Sequence, residues 1–138
     1  MKKVIICGSI SASDEIIAAQ KELEERGFEV EIPFGCKKYI ENGYRHVAEE
    51  ERAGDKKKHD LIRRYYELMK GYDIVLVVNA KKNGVENYIG GNTLLEMGFA
   101  HVLDKPLYVL NPLPDLPYLS ELEAMSPTIL NGDLSKIQ

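Results

Sequence analysis

Cysteine is scarce in this chain of 138 residues: Cys7 lies inside an apolar run and Cys36 sits between Gly35 and Lys37. Neither spacing suits a metal or redox motif. Long hydrophobic runs are missing as well, with nothing near the roughly 18 apolar residues that a membrane span needs. The two lysines after Met1 lead at once into a strand-like segment, too short a start for a signal sequence, so the expected compartment is the cytoplasm, with both thiols reduced. Basic residues are in deficit, 18 Lys and Arg against 22 Asp and Glu, for a net charge of -4. That balance provides no electrostatic footprint for long nucleic acid. It does not exclude a small phosphorylated ligand, which a few backbone N–H groups and one or two local cations can hold. The three histidines, His46, His59 and His101, form neither a metal-ligand spacing nor a triad. No repeat or low-complexity tract occurs, and no metal or organic cofactor is expected.

What is present is the make-up of one ordinary globular domain, 44% hydrophobic and 29% charged. Val4-Ile5-Ile6-Cys7-Gly8 is a continuous apolar run closed by a Gly-Ser turn, the pattern of a strand buried on both faces. Helical periodicity follows from Ser13 to Arg26-Gly27, with an apolar stripe through Ile16, Ile17, Ala19, Gln20 and Leu23. Phe28 to Pro33 alternates like a half-exposed strand nearer the sheet edge. The segment 34–44 reads as an irregular loop, and 45–70 as a long charged helix with a possible break at Gly54-Asp55. Asp73 to Asn79 is the strongest buried strand. A polar loop, a helix from about Thr93 to Leu103, a strand at Leu107 to Leu110, a Pro-rich loop, a short helix from Tyr118 to Ala124 and a last strand at 128–130 complete the chain. Alternating strands and helices in one domain of this size predict a three-layer, flavodoxin-like (Rossmann-like) doubly wound parallel sheet of about five strands in the order 2-1-3-4-5.

In such sheets ligands bind beyond the carboxyl ends of the strands where the strand order reverses, which directs attention to the loops after the first and third strands. The first loop, Gly8-Ser9-Ile10-Ser11-Ala12-Ser13, combines a glycine, three hydroxyls and a helix start. It suits an anion, but a Gly-Ser turn that merely caps a helix is the commoner use of such a sequence. The second runs through Asn87-Tyr88-Ile89-Gly90-Gly91-Asn92-Thr93-Leu94-Leu95-Glu96. Its paired glycines allow close backbone approach to a ligand. Thr93-Leu94-Leu95-Glu96 also spells a capping box, in which Glu96 merely returns a hydrogen bond to the backbone of Thr93. Asn79 and Asn83 either bond a base or sugar or serve as turn residues, and Tyr88 either stacks on a base or packs within its loop. Lys37, Arg45, Lys81 and Lys82 are cations for a phosphate or simply solvated surface.

Val4-Ile5-Ile6-Cys7-Gly8-Ser9-Ile10, taken with Gly91-Asn92-Thr93-Leu94-Leu95-Glu96-Met97-Gly98-Phe99-Ala100, resembles the nucleoside deoxyribosyltransferase family and its relatives, the deoxynucleoside monophosphate glycosidases. The resemblance implies that Glu96 is a nucleophile that attacks the anomeric carbon of a deoxyribosyl group. It also implies that Gly8, Ser9 and Ile10 lie against the sugar or phosphate, and that the substrate is a small nucleoside or nucleotide. It further implies a homo-oligomer, a dimer or higher, in which neighbours complete each other's pockets. Three positions depart from the family pattern. Ile5 stands where the family carries a tyrosine, Ile10-Ser11-Ala12 where its monophosphate-specific members carry an arginine, and Tyr65 where it carries an acid; Asp60, more than a turn earlier, is the acid within reach. The candidate catalytic residues are thus Glu96 and Asp60, and the candidate substrate-binding residues are Gly8, Ser9, Ile10, Asn79, Tyr88, Gly90, Gly91, Asn92 and Thr93. The same loop also resembles, less completely, the Pro-Gly-Gly-x-Gly-Thr-x-x-Glu motif of cytokinin-activating phosphoribohydrolases. A third reading is a nucleotide-sensing module without catalysis.

Overall fold

The apolar runs become strands whose alternate side chains enter two separate cores. In the computed structural model, which describes residues 1–45 and 60–138, β1 (Lys3–Cys7) turns Val4 and Ile6 to one face and Ile5 and Cys7 to the other. β3 (Ile74–Val77) divides in the same way, Ile74 and Leu76 against Val75 and Val77. A strand covered on both faces has no solvent side to mark with polar residues, which is why these segments are apolar throughout.

With β2 (Glu29–Glu31), β4 (Leu107–Val109) and β5 (Thr128–Ile129), they form one five-stranded sheet in the order β2-β1-β3-β4-β5. Every pairing is parallel. The register sets Cys7 beside Val77 and Val77 beside Val109, so the three central strands end together. Helix α1 (Ser13–Glu25) buries Ile16, Ala19 and Leu23 on the first face, and α2 (Phe34–Glu41) adds Cys36 there. Helices α3 (Leu61–Lys70), α4 (Gly91–Val102) and α5 (Leu119–Ala124) cover the second face with Tyr65, Met69, Met97, Ala100 and Leu122. Three layers result, and the doubly wound flavodoxin-like architecture follows from the sheet order. Among the described residues no helix is long and apolar enough to cross a membrane.

Several local expectations need correction. Residues 34–41 form a helix and not a loop: Pro33 precedes the first turn, and Cys36 and Tyr39 supply a buried stripe at i, i+3 that the glycine and lysines around them obscure. Helix α4 begins at Gly91, two residues before the expected start, with Gly90 as its N-cap. Of the long charged helix, the structure describes Leu61–Lys70, capped by Asp60 in the left-handed region. The break expected at Gly54-Asp55, and His46 and His59, lie outside the described residues. The expected turn at Asn131-Gly132 is present, both residues having positive φ.

A short 3₁₀ turn, Leu134–Lys136, follows that turn and buries Leu134 and Ile137. Arg26, at the end of α1, donates to the carbonyls of Leu134 and Ile137 at 2.6 and 2.8 Å. The Lys2 ammonium donates to the Gln138 carbonyl at 2.6 Å, so the two chain ends meet beside the amino end of β1.

Candidate active site

At the carboxyl ends of β1, β2 and β3, the loops enclose a cavity of about 580 Å³, within the range that small-molecule ligands occupy. Its first wall is the turn after β1. A Cβ on Gly8 would lie 2.8 Å from the Val78 carbonyl oxygen and 3.0 Å from Ile16 Cδ1, so only glycine lets the chain leave the strand here. Ser9 and Ser11 then present hydroxyls 2.9 Å apart, while Ile10 packs on Gly35 of α2. The deeper serine, Ser13, is committed to structure, its hydroxyl bonded to the Ile10 carbonyl and to the Cys36 thiol.

The opposite wall is the start of α4: Gly90, Gly91, Asn92, Thr93 and Glu96 all line the cavity. Because the helix begins at Gly91, Glu96 falls in its second turn and Thr93 is not the N-cap, so the capping box does not form. Glu96 instead lies on the same face as Thr93, 7% exposed, where the helix meets the tip of β1. There the buried Cys7 thiol hydrogen-bonds to it, and burial together with that carboxylate raises the thiol pKa well above its ordinary value. Tyr65, from α3, closes the floor. Its hydroxyl donates to the Ile6 carbonyl. Burial first, then the nearby Cys7 and Glu96, raise its pKa well above the usual phenol value. Cys36 is pushed up to about 11, again chiefly by burial, against a lowering hydrogen bond from Ser13.

The cavity therefore gathers nine of the eleven residues singled out from the sequence: Gly8, Ser9, Ile10, Tyr88, Gly90, Gly91, Asn92, Thr93 and Glu96. Two lie elsewhere. Asp60 caps α3, pairs with Arg63 at 2.5 Å and does not line the cavity. Asn79 is wholly buried beneath it. Its side-chain amide donates to the carbonyls of Asn87, Asn111 and Pro112, and its side-chain oxygen accepts from the Asn111 backbone N–H, tying the loop after β3 to the loop after β4.

Other residues in the lining, Tyr65 apart, had no sequence signal beyond ordinary surface charge or packing. Glu31, at the end of edge strand β2, is a second carboxylate in the cavity and is held by Lys37 at 2.5 Å. Alternation along β2 marked it as solvent-facing, and only the parallel register beside Ile5 brings it to the site. Arg64, Tyr65 and Phe34 also line the cavity. Of the four candidate cations, Lys37 and Lys82 face it, whereas Lys81 pairs outside with Glu86 and Arg45 is exposed away from it. Among the described residues no group of three His, Cys, Asp or Glu side chains stands close enough to hold a metal.

Chemically, the site offers one buried carboxylate beside a weak thiol donor, two hydroxyls, glycine-rich backbone on two sides, and an aromatic ring, Tyr88. No protein-family model matches the chain, and no curated protein matches it in sequence.

Proposed function

We propose that this protein cleaves or transfers at the N-glycosidic bond of a nucleoside or nucleotide, with Glu96 as nucleophile, in the manner of the nucleoside deoxyribosyltransferases that its Gly8-Ser9 and Thr93-to-Ala100 motifs resemble. The observation that carries this reading is the placement of Glu96: a carboxylate in the second turn of α4 that lines a cavity where the Gly8-Ser9 and Gly90-Gly91 loops converge. In the proposed first step, Glu96 attacks the anomeric carbon, the bond to the base nitrogen breaks, and a glycosyl ester forms that a second base or water resolves. A buried carboxylate favours this path, since the transition state carries oxocarbenium-like positive charge. Tyr88 provides a face for the base.

A second reading, a nucleotide-binding module without turnover, draws support from Asp60 lying outside the cavity and a tyrosine, Tyr65, standing where an acid is implied. Hydrolysis of a ribonucleoside monophosphate is a variant of the first reading. One panel separates them: nucleosides and 5′-nucleotides of both sugars, with and without an acceptor base, assayed for base release and base exchange. Glu96→Ala should reduce turnover by roughly 10⁴-fold. Equal turnover by the parent and Glu96→Ala would remove Glu96 from the chemistry, and ligand binding without turnover in either would leave the binding module.

Self-association belongs to the same proposal. Leu95 and Val102 on α4 and Ile62 on α3 are exposed large apolar residues. Tyr66 and Phe99, which meet edge-on at 5.1 Å, continue the same helical stripes at i, i+4 spacing. A second copy packed on these stripes would bury them next to the helix that carries Glu96.

A further inference from the structure

Lys3, Lys37, Lys70 and Lys81 each face a carboxylate, from Glu29, Glu31, Glu67 and Glu86 respectively. Lys82 faces none among the described residues. It is half-buried in the cavity wall, its ammonium 3.3 Å from Ser9 Oγ and 5.6 Å from the centre of the Tyr88 ring. One of its three N–H donors is thus satisfied by a hydroxyl, which leaves capacity for an anion. Arg64, the other cavity cation without a carboxylate partner among the described residues, is exposed at the rim.

The backbone fixes where Lys82 stands. Its N–H donates to the Val85 carbonyl at 3.0 Å, and the Val85 N–H returns a bond at 2.9 Å. Between them, Asn83 and Gly84 have φ of 51° and 78°, the two positive values of a tight type I′ hairpin turn. A long flexible side chain is anchored at its base by this turn, and its ammonium stands over the Tyr88 ring. Holding a cation partly out of water without a counter-charge is costly, and an arriving anion relieves that cost. The cavity's two carboxylates limit where an anion can go. Glu31 already occupies Lys37, and Glu96 would repel it, so the favourable place is the side formed by Lys82, Ser9 and Ser11.

We propose that Lys82, with the Ser9 and Ser11 hydroxyls, forms a subsite for the phosphate of a nucleoside 5′-monophosphate, and that Lys82 makes the cavity prefer the nucleotide over the nucleoside. The proposal rests on reading the cavity as a nucleoside site, but it concerns binding and is independent of turnover. One ammonium and two hydroxyls match a single phosphate better than a longer polyphosphate.

The test is calorimetric titration of Glu96→Gln protein, which spares the ligand, with nucleosides, their 5′-monophosphates and 5′-diphosphates, and with inorganic phosphate as competitor. A 5′-monophosphate should bind about tenfold or more tightly than its nucleoside, as a charge-assisted contact implies. In the same background, Lys82→Ala and the length-preserving Lys82→Gln should both abolish that difference while leaving nucleoside affinity within about twofold. Lys82→Arg should retain it, and so should Lys81→Ala, whose lysine pairs outside the cavity. Inorganic phosphate should compete with the nucleotide and not with the nucleoside. Equal affinity for nucleoside and monophosphate in the Glu96→Gln parent overturns the proposal. So does equal weakening of both ligands by the two Lys82 substitutions, or absence of binding by any nucleotide. A parallel assay of base release with the unmodified protein separates the two ideas: Lys82-dependent preference without base release keeps the subsite and refutes glycosidic chemistry, whereas base release indifferent to phosphate does the reverse.

Discussion

Burial of weak acids has a measurable consequence at the scale of single residues. Cys36 ionises near 9 in an unfolded chain and at about 11 in the folded one. Below pH 9 both states hold the proton and stability is unaffected; between pH 9 and 11 only the unfolded state releases it, so stability falls as pH rises. The slope from this one group approaches about 1.4 kcal/mol per pH unit. Cys7 and Tyr65, both raised well above their ordinary values by burial, act in the same direction, Cys7 from about pH 9 and Tyr65 from about pH 10, where the unfolded chain begins to release their protons. Urea unfolding at pH 8, 9, 10 and 11 should show this decline, and Cys36→Ala, though less stable at neutral pH, should show a shallower one. An identical slope in the variant would refute the assignment. Asn79 illustrates what single-residue pattern conceals: an asparagine ending a strand is ambiguous in sequence, and the hydrogen bonds that commit it to joining two loops come from residues 8 to 33 positions away.

Elements owe their positions to a few close approaches, of which the exit from β1 is the tightest. Gly8→Ala would place a methyl group 2.8 Å from a backbone oxygen that the parallel register holds in place. The expected loss is about 1–3 kcal/mol in a denaturation experiment, the ordinary cost of overpacking; unchanged stability would show that β1 and β3 separate freely at this end. Strands covered on both faces were legible as unbroken apolar runs, and α1 as a 3.6-residue stripe ending at Gly27, because period and burial coincide there. Helix α2 was not legible, since Gly35 and the lysines dilute its two buried positions over barely two turns. The start of α4 was misplaced because Thr93 offers a familiar cap, while the Gly90 cap uses no side-chain hydrogen bond at all. That shift of two residues changes the meaning of Glu96, from a helix-end partner to a cavity-facing carboxylate. Glu31 escaped notice for a related reason, being a surface charge by local pattern that only sheet register brings to the site; Lys82 was one of four ambiguous cations, and only the hairpin turn singles it out.

Across the whole molecule, the loops that follow β1, β2 and β3 contribute to one cavity, and the second face of the sheet carries the helices with an exposed apolar stripe. Sedimentation or light scattering at micromolar concentration should find a dimer or larger assembly. Val102→Lys, at a position 80% exposed, should shift it to monomer without loss of thermal stability in the isolated fold. A monomeric parent protein would dismiss the self-association. The tie between Lys2 and Gln138, reinforced by the Arg26 grip on the final 3₁₀ turn, lies at the opposite pole of the sheet from the ligand entrance. A reporter or carrier grafted at Met1 or at Gln138 therefore hangs from the base of the molecule, and either attachment leaves the mouth unobstructed.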